Sequence, residues 1–81
     1  MTREEIIGKN IFFRRLERGY SQEKMSVLTG WSQKEISRYE RGEIKRLNYD
    51  FLKAIAYAFE IEVEELEDEE YVKMSTSKSD N

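Results

Sequence analysis

The chain has 81 residues, of which 38% are hydrophobic and 38% are charged, so it can form one small core and no second domain. Its mean hydropathy of −0.83 excludes a membrane span, which needs about 20 successive apolar residues, and no signal peptide is recognisable, so we expect a cytoplasmic protein. Because the sequence contains neither Cys nor His, it lacks the thiols, imidazoles and soft metal ligands that most enzyme mechanisms use, and we expect neither catalysis nor a cofactor.

The net charge of −3 hides an uneven distribution along the chain. Residues 1–54 have a net charge of +4, whereas residues 55–81 have a net charge of −7. Acidic residues concentrate in 60–70, and the sequence beyond them is polar and has no hydrophobic pattern. We therefore predict a folded domain at residues 1–70 and a disordered polar tail at residues 71–81. The acidic run is interpreted as a solvated face; the alternative is a segment that competes with nucleic acid for the basic part.

The first three predicted helices begin at residues that can cap a helix N-terminus. Thr2 with Glu5, and Ser32 with Glu35, have the spacing of capping boxes, and Ser21 is a simple cap between them. Glycines end each helix, which places the third helix at about residues 32–41. The spacing predicts that these helices turn the following residues inward: Ile7, Ile11, Met25, Leu28, Thr29, Ile36 and Tyr39.

Two further helices complete an all-α prediction of five helices. Asn48 caps a fourth helix that carries the densest apolar stripe in the chain, formed by Leu52, Ile55, Ala56 and Phe59. A short, otherwise acidic fifth helix has an apolar edge formed by Ile61, Val63 and Leu66. The sequence has no strand signal and no internal repeat.

Residues 22–41 meet the requirements of a helix-turn-helix, in which two short helices cross steeply and are joined by a short turn. Ser26 is small enough for close approach of the helices, and Gly30 can adopt the positive φ that the turn requires. The positions where the two helices must make apolar contacts carry apolar or nearly apolar residues, which are Met25, Thr29, Trp31, Ile36 and Tyr39. We assign Trp31 and Tyr39 to the core.

If the third helix buries Ile36 and Tyr39, its opposite side must face solvent. That side carries Gln33, Lys34, Ser37 and Arg38. Gln can pair with adenine, and Lys or Arg with guanine, each good bidentate contact contributing about 1–3 kcal/mol of discrimination. We predict that these four residues read base edges, and the alternative is an ordinary solvated face. Around these four residues, we predict that DNA phosphates are bound by the backbone amides at the starts of the second and third helices, the latter at Ser32. We predict further phosphate contacts from Arg41, Lys45 and Arg46.

The segments YSQEKM at 20–25, GWS at 30–32 and ISRYERG at 36–42 resemble the phage Cro and repressor family of bacterial transcription regulators. The resemblance covers about residues 7–66 and implies a five-helix, lambda-repressor-like DNA-binding domain that usually acts as a dimer on pseudo-palindromic operators. It implies that Gln22 holds a phosphate and braces the third helix, and that Arg15 forms a salt bridge with Glu40. It also matches base-reading positions to Gln33, Lys34 and Arg38.

Phe12, Phe13 and Leu16 depart from the family, which commonly has polar or charged residues there. These apolar side chains need cover, either from the acidic fifth helix with Tyr71 and Val72 or from a second copy of the chain. We favour a homodimer, because one module reading a half-site binds too weakly to be specific. Asn10 and Arg14 either reach a phosphate or contact only water.

The sequence therefore predicts a double-stranded DNA-binding transcription regulator, most simply a repressor, with a protein as a candidate effector. The alternative is a protein-interaction module that keeps the fold and sequesters a partner. An enzyme is a distant third hypothesis, because its only candidate groups are carboxylates in a solvated run, with no apolar pocket to shift their pKa values. The operator sequence, repression against activation, and the choice among phage, mobile-element, antitoxin and restriction-modification contexts stay open.

Overall fold

A computed structural model describes residues 1–79, and all the regular secondary structure in this part of the chain is helical. The elements are α1 (Arg3–Glu17), α2 (Gln22–Thr29), α3 (Gln33–Glu40), α4 (Tyr49–Phe59), a 3₁₀ helix (Val63–Glu67) and α5 (Glu69–Ser79). The all-α, five-helix prediction is confirmed. The acidic segment predicted as the fifth helix is the 3₁₀ helix, and α5 follows it. Among residues 1–79, no helix is both long and apolar enough to cross a membrane.

The first four helices begin at the capping residues that the sequence predicts. The Thr2 hydroxyl accepts from the Glu5 amide at 3.1 Å, and the Thr2 amide donates to the Glu5 carboxylate at 2.8 Å, which lowers the pKa of Glu5. Simple caps stand before α2, α3 and α4, at Ser21, Ser32 and Asn48. The prediction that Glu35 completes a second capping box is wrong, because its carboxylate instead accepts from the Arg38 guanidinium at 3.3 Å.

Two glycines let α3 approach the rest of the domain. Gly30 ends α2 with φ of 79°, a conformation that costs glycine little, and the chain turns there into α3. Gly8 lies where α1 meets the end of α3. A Cβ at Gly8 would overlap the carbonyl oxygen of Tyr39 and would lie 3.0 Å from that of Glu40. The two backbones are therefore in direct contact.

The core lies between α1, α2, α3, α4 and the 3₁₀ helix. Its buried apolar residues are Ile7, Ile11, Met25, Ile36, Tyr39, Phe51, Leu52, Ile55, Ala56, Phe59 and Leu66. Phe51 was not predicted, yet the Tyr39 ring stacks on it at 3.7 Å between centroids and Trp31 meets it edge-on at 5.3 Å. The prediction that Leu28 points inward is wrong: it is 43% exposed, because Met25 occupies the inner face of the short α2.

The predicted disordered tail at 71–81 is wrong for the residues up to Ser79, which belong to α5. This helix packs along α1, where Val72 is buried and the Arg14 guanidinium lies 4.0 Å from the centroid of the Tyr71 ring. Contacts with α1 thus stabilise a segment whose own sequence has little apolar periodicity. The last residues of the predicted tail, 80–81, lie outside the described residues.

Candidate nucleic-acid interface

Helix α3 has an apolar side in the core and a polar side at the surface. Ile36 and Tyr39 are 0% and 2% exposed. On the opposite side Gln33, Lys34 and Arg38 are exposed and Ser37 is half-buried. The Arg38 side chain keeps 46% of its accessible surface despite its ion pair with Glu35. An amide, an ammonium and a guanidinium therefore project from one side of one helix, as the sequence predicts.

The orientation of α3 is set at its C-terminal end by an enclosed polar network. The Glu40 carboxylate accepts two hydrogen bonds from the Arg15 guanidinium, at 2.7 and 3.0 Å, and a third from the Gln22 amide at 3.0 Å. The side chains of Arg15 and Glu40 are only 10% and 5% exposed. Removing one partner of such a pair leaves an enclosed charge unpaired, so the network holds α1, α2 and α3 in one arrangement. The salt bridge that the resemblance implies is present, and Gln22 makes a hydrogen bond to α3 of the kind that bracing this helix requires.

Tyr39 ties the end of α3 to the start of α4. Its hydroxyl oxygen accepts from the backbone N–H of Asn48 at 2.9 Å, while its ring stacks on Phe51. The link between the two helices is anchored further by Ile44 and Leu47, which pack against the core. The link is therefore held at both its middle and its end.

Three of the five residues predicted to bind phosphates, Gln22, Ser32 and Arg41, flank or contact α3. Ser32 caps its start, and Arg41 follows its end, where the guanidinium donates to the Ser37 hydroxyl and to Glu43. Lys45 and Arg46 are exposed in the anchored link, and Gln22 is half-buried beside Glu40. The structure thus places seven of the nine predicted residues on α3 or directly against it, and Lys45 and Arg46 in the link that follows. The DNA contacts of all nine stay predictions.

Asn10 and Arg14 do not belong to this surface, being 0% and 8% exposed. The Asn10 amide donates to the carbonyls of Ile6 and Asp68, and the Arg14 guanidinium donates to the carbonyl of Glu65 at 3.1 Å. They join α1 to the C-terminal part of the domain. Neither alternative left open for them, phosphate or water, is correct.

The apolar patch on α1 is partly covered by α5. Phe13 is half-buried, whereas Phe12 and Leu16 remain 37% and 51% exposed, and Met74 of α5 is 57% exposed. Between the two helices lies a groove of about 390 Å³, which we call the α1–α5 groove. It is lined by Phe13, Leu16, Glu17, Tyr71, Met74, Ser75 and Lys78. The fold-back alternative is therefore right in part, and the rest of the apolar patch stays exposed.

Sequence reasoning missed two residues beside α3, Gly8 and Lys9. A glycine inside a helix weakens it by about 1 kcal/mol relative to alanine, so an interior Gly8 was a signal for close packing. Lys9 is a single exposed lysine, for which the sequence offers no signal. Within residues 1–79, no group of three or more His, Cys, Asp or Glu side chains is arranged to hold a metal ion.

The two short helices joined at Gly30, the second held firmly with its polar side outward, define a DNA-binding helix-turn-helix domain. In agreement, a model of the helix-turn-helix family matches residues 12–66, about two thirds of the chain. The chain belongs to this family of Cro/repressor-type helix-turn-helix regulators. A search of curated proteins and a search of solved structures gave no match.

Proposed function

We propose that the protein is a sequence-specific repressor that binds a pseudo-palindromic operator as a homodimer, with α3 in the major groove. The observation that carries the proposal is the polar side of α3, which is exposed and fixed in place by the Arg15–Glu40–Gln22 network. A fixed helix loses little conformational entropy on binding, so its side chains can discriminate between bases.

The reading residues have complementary chemistry. Gln33 is suited to the adenine edge, and Lys34 and Arg38 are suited to guanine O6 and N7. Ser37 can donate to or accept from either base. On the borders, Gln22, Ser32, Arg41, Lys45 and Arg46 bind phosphates and set the register of α3 on the duplex, without carrying sequence information themselves.

The size of the domain supports binding as a homodimer. Half-sites of an operator lie about 34–36 Å apart, one helical turn, and the domain measures 33 × 27 × 22 Å. The domain is therefore of a size that lets two copies occupy adjacent half-sites side by side. The apolar surface at Phe12, Phe13 and Leu16, with the α1–α5 groove, is the proposed contact. Occupation of an operator in the bacterial cytoplasm would block polymerase without any further activity.

Titration of the protein into its own upstream DNA and into random duplex, at several salt concentrations, tests the function. We expect a clear preference for the upstream DNA, and a log K that falls linearly with log[salt] by about 0.9 per phosphate neutralised. Equal affinity for both duplexes would overturn the proposal. That result would favour the second candidate function, a protein-interaction module. The observation that supports this candidate is the exposed apolar surface at Leu16 and Met74.

A further inference from the structure

Two ion pairs between arginine and glutamate lie on α3 and just beyond its end. The Arg38 guanidinium contacts the Glu35 carboxylate at 3.3 Å within the helix, and the Arg41 guanidinium contacts the Glu43 carboxylate at 3.0 Å after it. DNA carries a dense row of negative phosphates, so each carboxylate opposes the binding proposed for this surface. Glu35 stands one turn before Arg38, among the predicted reading residues, and its position there needs an explanation.

Glu35 is not needed to cap α3. The Ser32 hydroxyl caps the start of the helix by accepting from the backbone N–H of Glu35 at 3.1 Å. The Glu35 carboxylate forms no capping box and instead accepts from Arg38. A carboxylate in the first turn also interacts favourably with the helix dipole, but this effect does not depend on Arg38. The two explanations can therefore be separated by changing both residues of the pair.

The contact orients Arg38 and leaves it able to bind a base. Residues three apart lie on the same side of a helix, so the carboxylate restrains a long side chain that otherwise samples many rotamers. It bonds to Nη1 of Arg38, and it does not engage the edge formed by Nε and Nη2. That edge can donate two parallel hydrogen bonds, which match O6 and N7 of guanine.

The same carboxylate reduces the attraction of Arg38 to phosphates. An unpaired arginine at a DNA surface is attracted to any nearby phosphate, whatever the base sequence. With a carboxylate 3.3 Å from its guanidinium, Arg38 loses part of this attraction. Guanine is a neutral base, so hydrogen bonds to its edge depend more on the orientation of the donors. The pair therefore weakens binding to random DNA more than binding to an operator with guanine at Arg38.

We propose that Glu35 is a positioning residue that determines specificity, because it directs Arg38 to guanine rather than to phosphates. This role rests on the proposed function, in which α3 reads an operator. Glu35 lies outside the four predicted reading residues and acts through one of them. Glu43 has no such role, because its partner Arg41 is a predicted phosphate ligand, which contributes affinity and no sequence information.

The proposal is tested by competition binding with Glu35→Gln and its matched control, Glu43→Gln, on upstream and random duplex at several salt concentrations. Each substitution removes the charge beside one arginine and keeps the size of the side chain. We expect Glu35→Gln to bind random duplex more tightly and to prefer upstream DNA about fivefold less than wild type, the upper range for exposed ion pairs. Its salt slope should steepen by up to about 0.9, because Arg38 becomes available to a phosphate. Glu43→Gln should strengthen binding to both duplexes by the same factor.

A double variant shows whether Glu35 acts through Arg38. If it does, adding Glu35→Gln to Arg38→Ala leaves the remaining preference for upstream DNA unchanged. The preference lost in Glu35→Gln should also map to one G·C pair in each half-site, when the pairs are changed to A·T one at a time. All titrations are made below the melting temperature of the least stable variant, so that folded proteins are compared.

A wild-type preference that Glu35→Gln leaves intact would overturn the role of Glu35 and leave the proposed function standing. A further fivefold loss in the double variant would also overturn it, because Glu35 would then act without Arg38. A wild-type protein with no preference for upstream DNA would overturn the proposed function, and the role of Glu35 with it.

Discussion

Replacement of Gly8 by alanine tests the contact that positions α3 against α1. In an exposed helix this substitution stabilises by about 1 kcal/mol, because alanine is the better helix former. Here the new Cβ would overlap the carbonyl oxygen of Tyr39 and lie 3.0 Å from that of Glu40. Both are backbone atoms, which cannot rotate away, so one helix has to move.

The expected size of the effect follows from these contacts. Overpacking a close contact costs about 1–3 kcal/mol, and separation of α1 from α3 would also lengthen the Arg15–Glu40 hydrogen bonds, now 2.7 and 3.0 Å. With about 2 kcal/mol for the overpacking and about 1 kcal/mol for the weakened hydrogen bonds, against a helix-propensity gain of about 1 kcal/mol, we expect Gly8→Ala to lower the free energy of unfolding by about 2 kcal/mol. In a domain of this size that loss lowers Tm by about 10 °C.

Urea unfolding followed by circular dichroism measures the change, and operator binding gives a second readout because α3 is displaced. Gly19→Ala is the matched control: Gly19 has φ of 68°, but a Cβ there meets no atom within 4 Å. That variant should lose about 1 kcal/mol from backbone strain and keep normal DNA affinity once folded. A Gly8→Ala protein as stable as wild type, with unchanged DNA affinity, would refute the contact between α1 and α3.

Three further predictions concern the reading face, the enclosed ion pair and the acid sensitivity of the fold. Arg38→Ala should reduce the preference for operator over random duplex by about 1–3 kcal/mol, whereas Lys45→Ala should weaken both equally, as measured by competition binding. Glu40→Ala leaves the Arg15 guanidinium enclosed without its carboxylate, so urea unfolding should show a loss of about 3 kcal/mol. The hydrogen bond from Arg3 lowers the pKa of Glu67, so this pair stabilises the fold above the ordinary glutamate pKa of about 4.3. That contribution disappears as the pH falls through the lowered pKa that Glu67 has in the folded protein. Glu67→Gln should therefore flatten the pH dependence of stability in this acidic range.

Each of these predictions has an outcome that contradicts it. Equal weakening of every duplex by Arg38→Ala would mean that Arg38 does not read bases. Glu40→Gln retains one acceptor oxygen and should lose less stability than Glu40→Ala; no loss in either variant would show that the pair does not hold α3. For Glu67, the control is Glu64→Gln on the same 3₁₀ helix, and identical acid curves for the two variants would exclude the Arg3 pair as the cause.

The features that could be predicted from the sequence are those that depend on neighbouring residues. Ser32, Gly30 and the spacing of Ile36 and Tyr39 determine where α3 begins, how the chain enters it and which side it buries. The polar reading side follows from these local facts, because a helix that buries one side must expose the other.

The features that could not be predicted depend on which distant segments meet. Nothing in the local pattern around Tyr71 and Val72 indicates a helix, and the contacts of α5 with α1 stabilise it there. From the sequence alone, Asn10 is expected at the surface. It is buried because its amide donates to the carbonyl of Asp68, which lies 58 positions further along the chain. A cleft between Lys9 of α1, Gln22 of α2 and Arg41 after α3 likewise exists only once these three helices are assembled.

The central claim is that the side of α3 carrying Gln33 enters the major groove. Because the natural sequence contains no cysteine, a single one can be introduced at Gln33→Cys and coupled to an iron chelate that cleaves nearby DNA. Tyr57→Cys, on the exposed side of α4, is the control. The account predicts cleavage of the upstream DNA from position 33 in two clusters about one helical turn apart, and none from position 57. Cleavage from position 57 with none from position 33 would contradict it.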